Sequence, residues 1–183
     1  MREVTLKQTE DGVVPEGEGW YVLNAREAKW LHSNGAGSYC GFEGDVRFPD
    51  LGINLNVLEP GEPMAMYHTE NAREDFLVLD GEALLIVEDE ERPLKQWDLV
   101  HCPAYTAHTI LGAGGEPCVV LAAGARIPDR PDDGKFVVSE AAIKHGAGVE
   151  RETTDARGAY ARFGPMEEGA YREGSLPSWE RAR

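Results

Sequence analysis

Residues 61–81 read GEPMAMYHTENAREDFLVLDG, and this stretch sets a histidine and several glutamates among methionine and phenylalanine side chains. Its first half, residues 64–70, is predicted to be a strand, in which successive side chains point to opposite faces. That alternation places four side chains on one face: Met64, Met66, His68 and Glu70. The strand therefore brings an imidazole and a carboxylate side by side, next to two thioethers.

A second strand is predicted to begin at Glu74, which shares a face with Phe76 and Val78. Burying an imidazole and two carboxylates among apolar side chains is costly unless they are paired. A divalent cation removes that cost, because histidine nitrogen and glutamate oxygen suit Fe, Mn, Zn or Ni ions. The stretch therefore predicts a metal site in a pocket that is lined by Met64, Met66, Phe76 and Val78. Such an apolar lining favours a partly apolar ligand.

A second stretch, WDLVHCPAYTAH at residues 97–108, supplies a fourth candidate ligand. Pro103 ends one predicted strand, a short turn follows, and His108 opens the next strand. A closed barrel can bring His108 beside His68 and Glu74, although they are distant in sequence.

Short predicted strands surround these two stretches at a spacing of roughly 8–12 residues. They cover residues 51–58, 83–88, 99–102, 108–111 and 118–123. The Asp-Gly pair at residues 80–81 predicts a tight hairpin, and residues 89–91 predict a charged loop. This pattern is typical of an all-β sandwich or barrel.

The two ends of the chain differ from its middle. We expect residues 1–50 to form N-terminal strands and an arm, residues 51–124 the barrel core, and residues 125–183 a C-terminal helical appendage, all within one domain. In the appendage, Ser139 is placed to cap a helix that runs to His145. Asp155 is placed to cap a second helix.

Composition excludes several classes of protein. The 183 residues carry a formal net charge of −15, which disfavours binding to nucleic acid. No apolar run approaches the ~20 residues that span a bilayer, and the N-terminus lacks the apolar stretch of a signal peptide, so we expect a cytoplasmic protein. Three cysteines without C-x-x-C spacing, Cys40, Cys102 and Cys118, predict small buried hydrophobes and no disulfide framework.

Together the two stretches resemble the paired motifs of the cupin superfamily. The first motif is matched by Gly61, His68, Glu70, Glu74 and Gly81, and the second by Asp98, Pro103 and His108. Glu70 stands where the family has a second histidine, and Trp97 where it has a glycine. An alternative alignment puts Tyr67 and Thr69 at the two histidine positions and gives a much poorer metal site. We prefer the first alignment because it keeps His68, Glu70 and the two methionines on one face.

The resemblance implies an all-β fold, the cupin double-stranded β-helix (jelly-roll) barrel, here with short C-terminal helices. It also implies one divalent metal ion, held by His68, Glu70, Glu74 and His108. If Glu70 faces the mouth of the pocket instead, two histidines, one glutamate and water hold the ion. Such proteins are commonly dimeric. Exposed sheet edges, apolar outer sheet faces and a strand around residues 20–23 predict a homodimer for this chain.

Fold alone does not fix function, and this superfamily includes many activities. The foremost expectation is a metal-dependent, dioxygenase-like enzyme that acts on a small, partly apolar organic molecule. One alternative is a non-catalytic protein that binds or senses a small molecule. Another is an isomerase that acts on a sugar.

Overall fold

A computed structural model describes residues 1–128 and 133–178 of the chain. The strands are β1 Thr5–Thr9, β2 Gly12–Glu16, β3 Trp30–His32, β4 Ser38–Cys40, β5 Leu51–Leu58, β6 His68–Thr69, β7 Glu74–Asp80, β8 Glu82–Val87, β9 Glu90–Lys95, β10 Leu99–Cys102, β11 His108–Ala113, β12 Cys118–Ala125, β13 Lys135–Phe136 and β14 Glu167–Gly169. Two short helices follow β13: α1 Glu140–Lys144 and α2 Ala156–Ala159. The all-β prediction with short C-terminal helices is confirmed.

Two antiparallel sheets enclose the core. The larger sheet has the order β10-β7-β12-β5-β4-β3-β14, and the smaller one β13-β6-β11-β8-β9. Side chains from both sheets meet in one buried cluster between them, which includes Phe76 and Val78 on β7 and Ile110 on β11. Because every second residue of a strand points inward, each strand contributes the side chains of one of its faces to this interior. The arrangement is the predicted jelly-roll barrel.

The turn at residues 80–81 differs from its prediction. It joins β7 to β8, but these strands pair in different sheets, β7 with β10 and β12 and β8 with β9 and β11. The predicted hairpin is therefore wrong: the Asp-Gly turn carries the chain from one sheet to the other. The hairpin in this region is β8–β9, whose two turn residues Glu88 and Asp89 have φ of 48° and 65°. Residues 90–91, predicted as part of a loop, belong to β9.

Gly81 is required at the crossover for steric reasons. Its φ is 75°, and a Cβ added there would lie 2.7 Å from the carbonyl oxygen of Pro117. We expect Gly81→Ala to lower the free energy of unfolding by about 1–3 kcal/mol, the cost of strained backbone, or more if the neighbouring strand must shift. Gly61→Ala is the matched control, since Gly61 has a φ of 84° but open space around it. Urea unfolding of both variants measures the effect, and equal losses would show that the contact with Pro117 is unimportant.

Segments outside the barrel cover its two outer faces. On the larger sheet, Leu55 and Val57 of β5 form a buried cluster with Trp30 and Cys40 of the same sheet. Leu23, Ala25 and Leu176, which lie outside the strands, pack against this cluster. On the smaller sheet, Ile86 and Leu111 pack against Ala142 of α1 and Ala147. The outer faces that predicted a dimer interface are thus covered by the chain itself. The strand predicted over residues 20–23 is replaced by a single bridge between Trp20 and Glu3.

The C-terminal segment begins with a capped helix, as predicted. The Ser139 hydroxyl accepts a hydrogen bond from the backbone N–H of Ala142 at 3.0 Å. The helix ends at Lys144, and its C-cap residue His145 precedes Gly146, whose φ is 74°. The three cysteines are buried and free, which confirms their predicted role. No helix in the described ranges has the length and apolar character needed to cross a membrane.

Candidate metal centre

A cavity of about 260 Å³ lies at one end of the barrel interior. Its lining combines polar and apolar side chains, namely Tyr39, Asn54, Asn56, Met64, Ala65, His68, Glu70, Glu74, Phe76, His108, Thr109, Ala122 and Tyr160. All four predicted metal ligands are among them. The volume lies just below the roughly 300 Å³ at which sites for drug-sized ligands begin, so the cavity suits a small molecule.

The two histidines face each other across neighbouring strands. His68 on β6 and His108 on β11 are direct register partners, and their ring centroids are 5.3 Å apart. His108 also packs on Phe76, with 5.2 Å between ring centroids. Strand pairing therefore places two imidazoles side by side above the apolar core.

Each histidine is oriented by a backbone carbonyl two residues earlier in the chain. Nδ1 of His68 lies 2.7 Å from the Met66 oxygen, and Nδ1 of His108 lies 2.9 Å from the Thr106 oxygen. A carbonyl can only accept, so in both rings Nδ1 carries the proton and Nε2 is the atom directed to the other groups of the site. This outer hydrogen bond is the usual means of orienting a metal-binding histidine.

Glu74 completes a group of three. Its Oε2 lies 3.2 Å from Nε2 of His108, yet Oε2 is buried and has no hydrogen-bond partner among the described residues. Buried polar atoms are rarely left unpaired. This oxygen therefore requires either a cation or a proton on Nε2 of His108. One ligand atom each from His68, Glu74 and His108 lies within 4.8 Å of the others. Two imidazole nitrogens and a carboxylate oxygen fit a divalent first-row metal ion.

Glu70, the fourth predicted ligand, lies beside this group but is not one of its three members. Its Oε1 is 3.3 Å from Nε2 of His68, and its side chain is 36% exposed. The hydrogen bond from His68 lowers the pKa of Glu70 below its usual value, although partial burial opposes that shift. Glu70 is therefore an ionised carboxylate at neutral pH, with access to the cavity.

The surroundings of His108 favour its protonated form when no metal is bound. Burial opposes the charge, but the nearby Cys102 and Glu74 side chains and the Thr106 carbonyl raise its pKa to about 10. The imidazolium thus supplies the positive charge beside Glu74 that a metal ion would otherwise supply. Metal binding must displace this proton, because only a neutral imidazole ligates.

This raised pKa predicts how the stability of the metal-free protein depends on pH. The pKa of His108 is about 10 in the folded protein, against 6.5 for an unperturbed histidine. Protonation of this ring therefore contributes its full stabilisation of the fold below pH 6.5. That contribution is lost as the pH rises through 10. We expect the free energy of unfolding in the presence of a chelator to fall over this window, and to fall less in His108→Gln. Urea unfolding at several pH values measures it, and identical pH profiles for the two proteins would contradict the assignment.

The four residues predicted to line the pocket lie in different places. Met64 and Phe76 line the metal cavity, whereas Met66 lines a separate open groove of about 720 Å³ and Val78 is fully buried in the core. The strand predicted over residues 64–70 is wrong: the chain bends at residues 64, 65 and 67, and only β6 is extended. The strict alternation that would carry Met66 to the cavity is broken there.

The cavity is more polar than predicted. Asn54 and Asn56 on β5 line it, and so do Tyr39 on β4 and Tyr160 after α2. The alternation of Asn54 and Asn56 with apolar residues was the available signal, since it predicts a polar face on an otherwise buried strand. No pattern in the sequence links the two tyrosines to the site.

Comparison with known proteins agrees with this architecture. Residues 54–124 match the protein family Cupin_2, described as Cupin domain. A cupin-like protein from Thermotoga maritima superposes with a TM-score of 0.51 at 19% identity, over 65% of this chain and 90% of that one. No curated protein matches the sequence.

Two further solved structures are similar to part of this chain. A provisionally assigned sugar phosphate isomerase from Acidithiobacillus ferrooxidans is 30% identical, with a TM-score of 0.46 over 50% of this chain and 60% of that one. A sugar phosphate isomerase of the cupin superfamily from Silicibacter pomeroyi is 24% identical, with a TM-score of 0.45 over 57% and 63%. The chain therefore spans less than two thirds of the length of either protein.

Proposed function

We propose that this chain, whose residues 54–124 match the Cupin domain family, is a metal-dependent enzyme that transfers a proton on a small polar organic molecule. The observation that carries this proposal is the buried Glu74 Oε2, which has no hydrogen-bond partner among the described residues and lies beside two oriented imidazoles. His68, Glu74 and His108 would hold one Fe, Mn, Zn or Ni ion. A bound ion would act as a Lewis acid on an oxygen of the substrate.

Glu70 supplies the proton acceptor of the proposed reaction. It is the one carboxylate of the cavity outside the three-residue metal group, and it is ionised at neutral pH. A base within reach of a metal-bound carbonyl compound can remove a proton from the adjacent carbon and return it elsewhere. This is the chemistry of an isomerase. The polar lining of the cavity favours this alternative over an oxygenase that acts on a partly apolar substrate.

The polarity of the cavity supports a polar substrate. Polar side chains outnumber apolar ones in its lining, and the Tyr39 hydroxyl and the Asn54 side-chain amide have no hydrogen-bond partner among the described residues. A largely apolar molecule would leave such groups without partners, at a cost of about 1–3 kcal/mol each. A molecule with several oxygen atoms would pair with them.

Exchange with solvent tests the proton transfer. The metal-loaded protein would be incubated in D₂O with small hydroxy-carbonyl compounds, and deuterium at the carbon next to the carbonyl would be followed by NMR. Incorporation above the chelator-treated control supports the proposal. Absence of exchange with every compound that binds would contradict it.

An oxygenase is the second candidate, and the ligand set favours it. Two histidines and one carboxylate form the set that holds Fe(II) in many non-haem oxygenases. Oxygen uptake by the Fe(II)-loaded protein, with no uptake by the Zn-loaded protein, would favour this reaction over proton transfer.

We also propose that the chain forms a homodimer through the free edge of β10. Among the described residues this strand is an edge of the larger sheet, and Trp97 and Leu99 are 59% and 68% exposed. An uncovered edge with apolar side chains favours pairing with a second copy. Sedimentation is expected to give twice the 20.1 kDa chain mass, and Leu99→Lys to shift it toward the monomer. A wild-type protein that sediments as a monomer would contradict this expectation.

A further inference from the structure

The C-terminal segment contributes to the wall of the metal cavity. Tyr160 follows α2 directly, and its hydroxyl oxygen accepts a hydrogen bond from the backbone N–H of Met66 at 3.2 Å. Its ring packs edge-on against Phe136, with 5.7 Å between ring centroids, and against Phe163 at 6.1 Å. The phenol is thus held in place, and its own O–H donates to none of the described residues.

Two more polar groups line the same cavity, one from Tyr39 and one from Asn54. The Tyr39 hydroxyl and the Asn54 side-chain amide form no hydrogen bond with any of the described residues, although both side chains are partly buried. Polar groups removed from water lose free energy unless they find a partner. Tyr39, Asn54 and Tyr160 therefore offer several hydrogen bonds to a molecule in the cavity.

The charge of the cavity restricts that molecule further. Its lining, as far as the described residues define it, contains Glu70 and Glu74 but no lysine or arginine. Arg47 and Lys29 lie on the other side of Tyr39, in a separate groove. A phosphate or carboxylate on the part of the ligand that does not contact the metal would meet Glu70, with no lysine or arginine in the described lining to balance its charge. Like charges at short range repel.

We propose that Tyr39, Asn54 and Tyr160 form a subsite for the hydroxyl groups of an uncharged, polyhydroxylated small molecule. The inference rests on the proposed function for the metal-binding end of the cavity, and it adds the substrate class and a role for the C-terminal segment. Phenol and amide groups can each donate and accept, which matches hydroxyl groups and requires no charge on the ligand.

Calorimetric titration of the Mn-loaded protein tests the subsite with four probes: glucose, fructose and their 6-phosphates. We expect at least one free sugar to bind at least tenfold more tightly than its phosphate. Tyr39→Phe and Tyr160→Phe should each weaken that binding by about 3- to 10-fold, the effect of one hydrogen bond, without changing the affinity for Mn. Tyr171→Phe is the matched control, because Tyr171 lies outside this cavity and should leave both affinities unchanged.

Tyr39→Phe keeps the test valid if Tyr160→Phe unfolds, because the Tyr39 hydroxyl has no hydrogen bond to lose among the described residues. Tighter binding of the phosphates would overturn the inference. So would sugar affinities that Tyr39→Phe leaves unchanged, or a loaded protein that binds none of the four probes. Each of these results is compatible with an intact metal site. Loss of Mn binding itself would instead contradict the proposed function.

Discussion

His108→Ala is expected to reduce metal affinity by more than about 100-fold, beyond the roughly 10- to 100-fold cost of losing a residue that merely supports a ligand. The variant removes an imidazole that is oriented by the Thr106 carbonyl and belongs to the group of three candidate ligands. His68→Ala and Glu74→Ala should have effects of the same order. Titration with Zn or Mn in competition with a chelator measures all three.

His101→Ala is the control for this prediction. His101 also lies on a barrel strand, but its side chain is exposed and pairs with Asp75 at 2.6 Å on the outer surface. We expect its metal affinity to equal that of the wild type. If His108→Ala bound metal as tightly as His101→Ala does, the metal would lie elsewhere.

Glu70→Gln is expected to reduce turnover by about 10²- to 10⁴-fold, the usual contribution of a general base. The metal affinity should change far less than in Glu74→Ala, because Glu70 is not one of the three grouped ligands. Glutamine keeps the size and hydrogen-bonding capacity of the side chain but cannot accept the proton. Deuterium exchange rates and metal titration on the same preparation separate the two effects.

Glu150→Gln is a suitable control, since Glu150 lines the separate groove beside Met66 and not the metal cavity. It should retain the wild-type exchange rate. A Glu70→Gln protein with full activity would remove Glu70 as the base, and one that loses its metal would identify Glu70 as a ligand instead.

Alternation along strands explains why the fold and most of the site can be predicted. Within β5, β7 and β11 every second side chain faces the barrel interior, so Glu74 and His108 follow directly from the sequence pattern. Trp97 stands at the position where the resemblance expects glycine, yet its φ is 76°, in the left-handed region. The backbone therefore keeps the conformation of the motif even where the residue differs.

Features that depend on distant contacts could not be predicted. The bends before His68 accompany hydrogen bonds from Met64 N–H to the Ile110 oxygen and from Tyr67 N–H to the Ala147 oxygen. These partners are far away in sequence, and no local sequence pattern predicts these hydrogen bonds. The position of Tyr160 in the cavity wall depends in the same way on packing of the C-terminal segment against the barrel. Strand β9 was missed because its residues are mostly exposed and charged, which is typical of loops as well as of edge strands.

The most direct test of the central claim is X-ray absorption spectroscopy of the protein loaded with one equivalent of Zn. The arrangement of His68, Glu74 and His108 predicts two imidazole nitrogens at about 2.0–2.1 Å from the metal, with oxygen ligands completing the shell. His68→Ala should reduce the imidazole count from two to one, and His101→Ala should leave it at two. A wild-type spectrum without imidazole scattering, or one that His68→Ala does not change, would contradict the site.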